Sequence, residues 1–172
     1  GIMSFWSGAN CASRGFISES TKSTQGFYSM AVLDHDVLAT GACQKPKEVN
    51  GNWNHDIKLW DLNNRVKLQD KAPLCILRGH KGGVSGLVLL ADAIFASSSA
   101  DKTLKIWDAH AQEALATLEG HDDYVYSLAL CSENQLVSGS RDKTVRLWDA
   151  RSYKECGTLQ MPKSLEAHAS TV

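Results

Sequence analysis

Gly79-His80 … Ser97-Ser98-Ser99-Ala100-Asp101-Lys102-Thr103 … Ile106-Trp107-Asp108 returns as Gly120-His121 … Ser138-Gly139-Ser140-Arg141-Asp142-Lys143-Thr144 … Leu147-Trp148-Asp149. His80 to His121 and Trp107 to Trp148 are the same 41 positions apart. Self-similarity at a period of about forty residues means that each copy is one supersecondary unit, and that it buries its apolar face by stacking on its neighbours.

Within a copy the apolar residues alternate over short runs separated by turn residues. In the last full copy Val125 to Cys131 reads as a first strand, with a turn at Glu133-Asn134. Gln135 to Ser140 reads as a second strand, Arg141-Asp142-Lys143 as a tight turn, Thr144 to Trp148 as a third strand and Glu155 to Leu159 as a fourth. Four such strands form an antiparallel meander, and no window carries a helical period. A weaker copy lies upstream. Phe27-Tyr28-Ser29-Met30-Ala31-Val32 matches Val125-Tyr126-Ser127-Leu128-Ala129-Leu130, and Ile57-Lys58-Leu59-Trp60-Asp61 closes it. Lys22-Ser23 stands where the others have Gly-His, and extra residues fall at Cys43 to His55 and around Asn63 to Ala72. Leu165-Glu166-Ala167-His168 begins another copy, and Phe5-Trp6 with Gly15 to Ser18 matches loosely the last strands of a preceding one.

The 172 residues are 43% hydrophobic and 22% charged, with a formal net charge of -1. That composition suits a globular core and supplies no basic field for nucleic acid. No apolar run reaches the roughly 18–20 residues that span a bilayer. Gly1-Ile2-Met3-Ser4-Phe5 lacks the basic region and apolar core of a secretory leader. Five scattered cysteines without a C-x-x-C pair point to reduced thiols and a cytoplasmic or nuclear setting. Cys131, inside an apolar run, reads as a small buried hydrophobe.

The repeated polar residues invite chemistry. A histidine before the first strand, a serine in the second, an aspartate in the next turn and a tryptophan in the third can converge on one side of a sheet. Aspartate would fix one imidazole nitrogen, and the other would accept from a serine that also meets the indole N–H. A Ser-His-Asp nucleophile is disfavoured, because the set occurs twice and the serine lies mid-strand. A zinc site is disfavoured because the histidines fall one per sheet with no thiolate pair. Lys102-Thr103 and Lys143-Thr144 follow no glycine-rich loop, so turn chemistry accounts for them.

These motifs resemble the WD40 repeat family, over about Phe27 to Leu159. The resemblance implies an all-β propeller, with each repeat a four-stranded antiparallel blade around a central channel. The units implied are a partial blade at 1–22, blades at 23–78, 79–119 and 120–160, and the start of a further one at 161–172. It also implies two structural sets, His80, Ser97, Asp101, Trp107 and His121, Ser138, Asp142, Trp148, with Thr40 and Trp60 as remnants of a third. Family rings close with about seven blades, within the range of roughly four to eight. About three and a half repeats leave the propeller open, so a fragment of a longer propeller is expected, or self-association through open blade faces.

No cofactor and no enzymatic activity are expected. The resemblance implies a scaffold binding other proteins or peptides; the near-neutral charge and the lack of an aromatic–basic stripe disfavour nucleic acid, and no membrane partner is expected. An alternative is the propeller part of a larger enzyme or ubiquitin-ligase substrate receptor whose chemistry lies elsewhere. Candidate partner-binding residues are Tyr28, Tyr124, Tyr126 and Arg141 at loop ends, where the middle copy has the small Gly83, Ser85 and Ala100, and Trp53 in the insert.

Overall fold

The structure is a computed structural model that describes residues 2–6, 13–18, 27–33, 37–42, 55–62 and 72–160. Fourteen strands are described, and no helix occurs among these residues. β1 (Ile2–Trp6) and β2 (Ser13–Ser18) form an antiparallel pair. Three four-stranded antiparallel sheets follow, each in chain order. The first blade is β3 (Phe27–Leu33), β4 (Val37–Ala42), β5 (Ile57–Asp61) and β6 (Cys75–Leu77). The second is β7 (Val84–Ala91), β8 (Ile94–Ser99), β9 (Leu104–Asp108) and β10 (Glu113–Leu118). The third is β11 (Val125–Ser132), β12 (Gln135–Ser140), β13 (Thr144–Asp149) and β14 (Lys154–Gln160). The sheets are open and stacked, which is the architecture of an incomplete propeller. Lys22, Ser23, the insert through residue 54 with Trp53, residues 63–71, Leu165 and His168 lie outside the described residues.

The turns obey local chemistry. Lys102 and Lys143 adopt φ of 74° and 69°, and the preceding aspartates fasten each turn by accepting from the backbone N–H groups of Thr103 and Thr144. Asp108 and Asp149 close the turns after β9 and β13, each accepting two backbone N–H bonds through Oδ1. The last residue of the repeated Trp-Asp pair is therefore a turn clamp.

Every innermost strand carries an irregularity at its second residue: the register shifts between Phe27 and Ser29, Val84 and Gly86, and Val125 and Ser127. The extra residue at each site is Tyr28, Ser85 or Tyr126. A bulge of this kind bends the strand and re-aims its side chain.

Stacking buries two apolar layers. Between the first and second blades lie Leu33, Ala39, Ile57, Leu59 and Leu77 with Val84, Phe95 and Trp107. Between the second and third lie Ala96, Leu104, Ile106 and Leu118 with Val125, Leu136 and Trp148. Each large aliphatic buried this way contributes about 1.5–3 kcal/mol relative to exposure. Hydrogen bonds cross the same seams: the Ser29 hydroxyl donates to the Val84 carbonyl at 3.1 Å, and the Ser85 hydroxyl to the Val125 carbonyl at 2.5 Å.

Cys131 departs from its expected burial and is exposed. Beyond the bulge, Ser127, Ala129 and Cys131 alternate onto the face of β11 turned away from the second blade, and no described sheet covers that face. The cysteine's apolar neighbours in sequence were a poor guide because alternation places them on the opposite side.

Candidate functional site

The polar residues repeated in the sequence come together inside the second and third blades. Trp107 Nε1 donates to Ser97 Oγ at 2.7 Å, Ser97 Oγ lies 2.7 Å from His80 Nε2, and His80 Nδ1 lies 2.8 Å from Asp101 Oδ2. In the third blade the corresponding distances are 2.8, 2.7 and 2.7 Å, through Trp148, Ser138, His121 and Asp142. A carboxylate only accepts, so the arrangement that satisfies every atom has Nδ1–H donating to aspartate and Nε2 accepting from the serine hydroxyl.

Each aspartate also ties down its surroundings. Asp101 accepts from the Lys81 N–H and the Thr103 hydroxyl, and Asp142 from the Asp122 N–H and the Thr144 hydroxyl. Burial opposes the charge of Asp101, but the hydrogen bonds from His80, Lys81 and Thr103 outweigh it and hold the carboxyl well below the usual range. The same balance, with Thr144, Asp122 and His121 as donors, lowers Asp142.

Serine, histidine and aspartate here have the connectivity of a hydrolytic triad. Ser97 and Ser138 are nevertheless 0% exposed, and each already accepts an indole N–H. A nucleophile that no substrate can reach, repeated in two blades, does no acyl transfer. Among the described residues no group of three or more His, Cys, Asp or Glu could hold a metal ion. The first blade keeps a reduced version, in which Trp60 Nε1 donates to Thr40 Oγ1 at 2.9 Å and Thr40 donates to the Lys58 carbonyl at 3.4 Å.

The candidate contact residues sit at the end of the blades that carries the turns after β8 and β12. A backbone bond, Arg141 N–H to the Tyr124 carbonyl at 2.9 Å, sets these two residues side by side. The Arg141 guanidinium carbon lies 5.7 Å from the centre of the Tyr124 ring, and its Nε is 3.6 Å from Asp123 Oδ2. The same backbone bond joins Ala100 to Gly83 in the second blade, where it carries no side chains of consequence. The frame is common to both blades, and only the third occupies it with an aromatic and a cation.

Tyr126 is 59% exposed at the bulge beside this pair. Tyr28, at 67%, projects from the corresponding bulge two blades away. Ser85 stands between them in the repeat, and its hydroxyl is spent on the seam to the third blade rather than left lining a recess. The structure thus pairs Tyr124 with Arg141, leaves Tyr126 exposed at the bulge in the strand that follows, and places Tyr28 two blades away. Asp123 escaped the sequence reading; its signal was its place directly before Tyr124.

The stacked four-stranded sheets and their buried polar networks define a segment of a β-propeller. A family model described as "WD domain, G-beta repeat" matches residues 71–108 and 112–149, so these two segments are WD40 repeats. The chain is 33% identical over 84 residues to the E3 ubiquitin-protein ligase COP1 of Pisum sativum, across 45% of this chain and 12% of that protein. It is 31% identical over 88 residues to a ribosome biogenesis protein WDR12 homolog of Culex quinquefasciatus, across 42% of this chain and 20% of that one. The matched segments are thus a minor part of these relatives. The crystal structure of the computationally designed Ika8 protein superposes with a TM-score of 0.66 at 24% identity, over 90% of this chain and 42% of that chain, a likeness of fold.

Proposed function

We propose that this chain is a protein-interaction scaffold, non-catalytic in itself, that engages a protein or peptide partner at the end of the third blade through Tyr124, Tyr126 and Arg141. The observation that carries the reading is the Tyr124–Arg141 pair, built on a backbone frame that the second blade possesses and leaves bare. Tyrosine and arginine dominate the energetics of protein interfaces because they bring large, preorganised contact area and directional hydrogen bonds. Tyr28 offers a separate contact two blades away. Resemblance both to a ubiquitin ligase and to a ribosome biogenesis protein fits a module whose surface, rather than its chemistry, sets its role.

The test compares proteins retained from cell extract by the parent chain and by a Tyr126→Ala/Arg141→Ala variant, identified by mass spectrometry. The variant is expected to keep its melting temperature and lose the specifically retained proteins. Identical retention by both would overturn the assignment of the surface.

A further inference from the structure

At the opposite end of the blades, between the first and second sheets, lies a half-open cavity of about 310 Å³. Leu33 and Leu59 form its floor and are themselves members of the core layer between these blades, so the cavity continues an interface already built. Val37, Ala93 and Gln112 form its sides, and the half-buried Cys75 lies in its wall.

The repeat shows why the space exists. Val37 and Ile94 both open the second strand of their blade and pair with the closing aspartate of the third, Asp61 and Asp108. Ala93 and Asn134 both accept a backbone N–H, from Ala109 and Ala150. Gln112 and Tyr153 share a left-handed backbone, with φ of 60° and 58°, four residues beyond the clamping aspartate. At all three positions the first interface has the smaller side chain: Val for Ile, Ala for Asn, Gln for Tyr. The smaller residues at these three positions leave room between the first two blades, and the equivalent turn of the third blade presents a tyrosine, Tyr153, on the same left-handed backbone.

We infer that this cavity is a second binding site, distinct from the Tyr124–Arg141 surface, and that it receives the side chain of a tyrosine from a partner polypeptide. The volume is at the lower end of that found for ligand pockets, enough for one aromatic ring with its flanking atoms. The floor is aliphatic and suits the ring faces. The Gln112 amide and the His110 imidazole, which also lines the cavity, supply the hydrogen-bonding groups that a phenol tip requires. Water held over an aliphatic floor makes few hydrogen bonds, and its displacement favours the ring.

Cys75 provides the readout. Burial pushes its thiol pKa up, so alkylation is followed at mildly alkaline pH, with the exposed Cys131 and Cys156 as internal references. The probe is N-acetyl-L-tyrosinamide. At about twice its Kd it is expected to slow alkylation of Cys75 about threefold and leave the reference thiols unchanged. In Gln112→Tyr the chain supplies its own ring, so protection by the probe should vanish while the melting temperature rises. Val37→Ile, a milder filling, should weaken protection should Gln112→Tyr misfold. Unchanged Cys75 alkylation at saturating probe, equal protection by N-acetyl-L-leucinamide, or full protection retained in the filled variants would overturn the site.

Discussion

Ser138 Oγ receives the Trp148 indole N–H at 2.8 Å and lies 2.7 Å from His121 Nε2, with none of its surface exposed. At such a position each atom left unpaired costs about 1–3 kcal/mol, because water cannot enter to replace the lost partner. His121→Ala and Asp142→Ala should therefore each lower stability by about that much, as measured by thermal or urea unfolding. A variant that melts like the parent would deny the network a bracing role. The two depressed carboxyls add a pH dependence whose sign is determined. Asp101 and Asp142 bind a proton less tightly folded than unfolded, so their contribution is complete above the ordinary carboxylate value of 3.8 and is lost as pH falls below it. The melting temperature should decline below about pH 4, and more shallowly in Asp101→Asn/Asp142→Asn than in the parent.

At the scale of the element, the second strands of the first and third blades share a glycine with different surroundings. A methyl added at Gly41 would lie 2.6 and 2.7 Å from Val84 side-chain atoms, while at Gly139 it would meet only the Ser127 hydroxyl, at 2.6 Å. Val84 is 0% exposed and part of the seam to the second blade, so it has nowhere to retreat. A serine hydroxyl turns to another rotamer at little cost. Gly41→Ala should lose about 1–3 kcal/mol through overpacking, and Gly139→Ala under about 1 kcal/mol. Chemical denaturation of the two variants side by side checks this; equal losses would mean that the strand itself, and not the docked valine, demands glycine.

For the molecule as a whole, the third blade's outer face matters most. Leu77, Leu118 and Leu159 occupy the same position in the last strand, opposite Ile57, Leu104 and Val145. The first two are 2% exposed and Leu159 is 73% exposed, because a described blade covers each of the first two faces and none covers the third. Leu118→Ala should cost about 2–5 kcal/mol by leaving a cavity, whereas Leu159→Ala should change stability by less than about 0.5 kcal/mol. A large loss at Leu159 would mean that this face is covered in solution. Ser127, Ala129, Cys131, Gly139 and Leu159 give that face an uncharged character that an adjoining sheet would bury.

The strand boundaries were legible from Val125 onward because alternation, turn residues and the second copy agreed: Gln135–Ser140 was read to the residue, while β11 and β13 run one residue further and β14 one residue further at each end. The residue types of the polar networks were legible too, since only a position serving the same purpose in every blade recurs at one spacing. Cys131 was not, because burial there depends on which sheet lies opposite. Nor was the use of Ser85, whose partner carbonyl belongs to the next blade, or the cavity lined by Val37, Ala93 and Gln112, residues far apart in the chain. The period, the meander and the internal chemistry of each blade are written in the chain itself, because all of them are local to about forty residues. Which faces are covered, which serines bridge blades and where space remains emerge only on stacking, because they depend on contacts between units that the repeat describes one at a time.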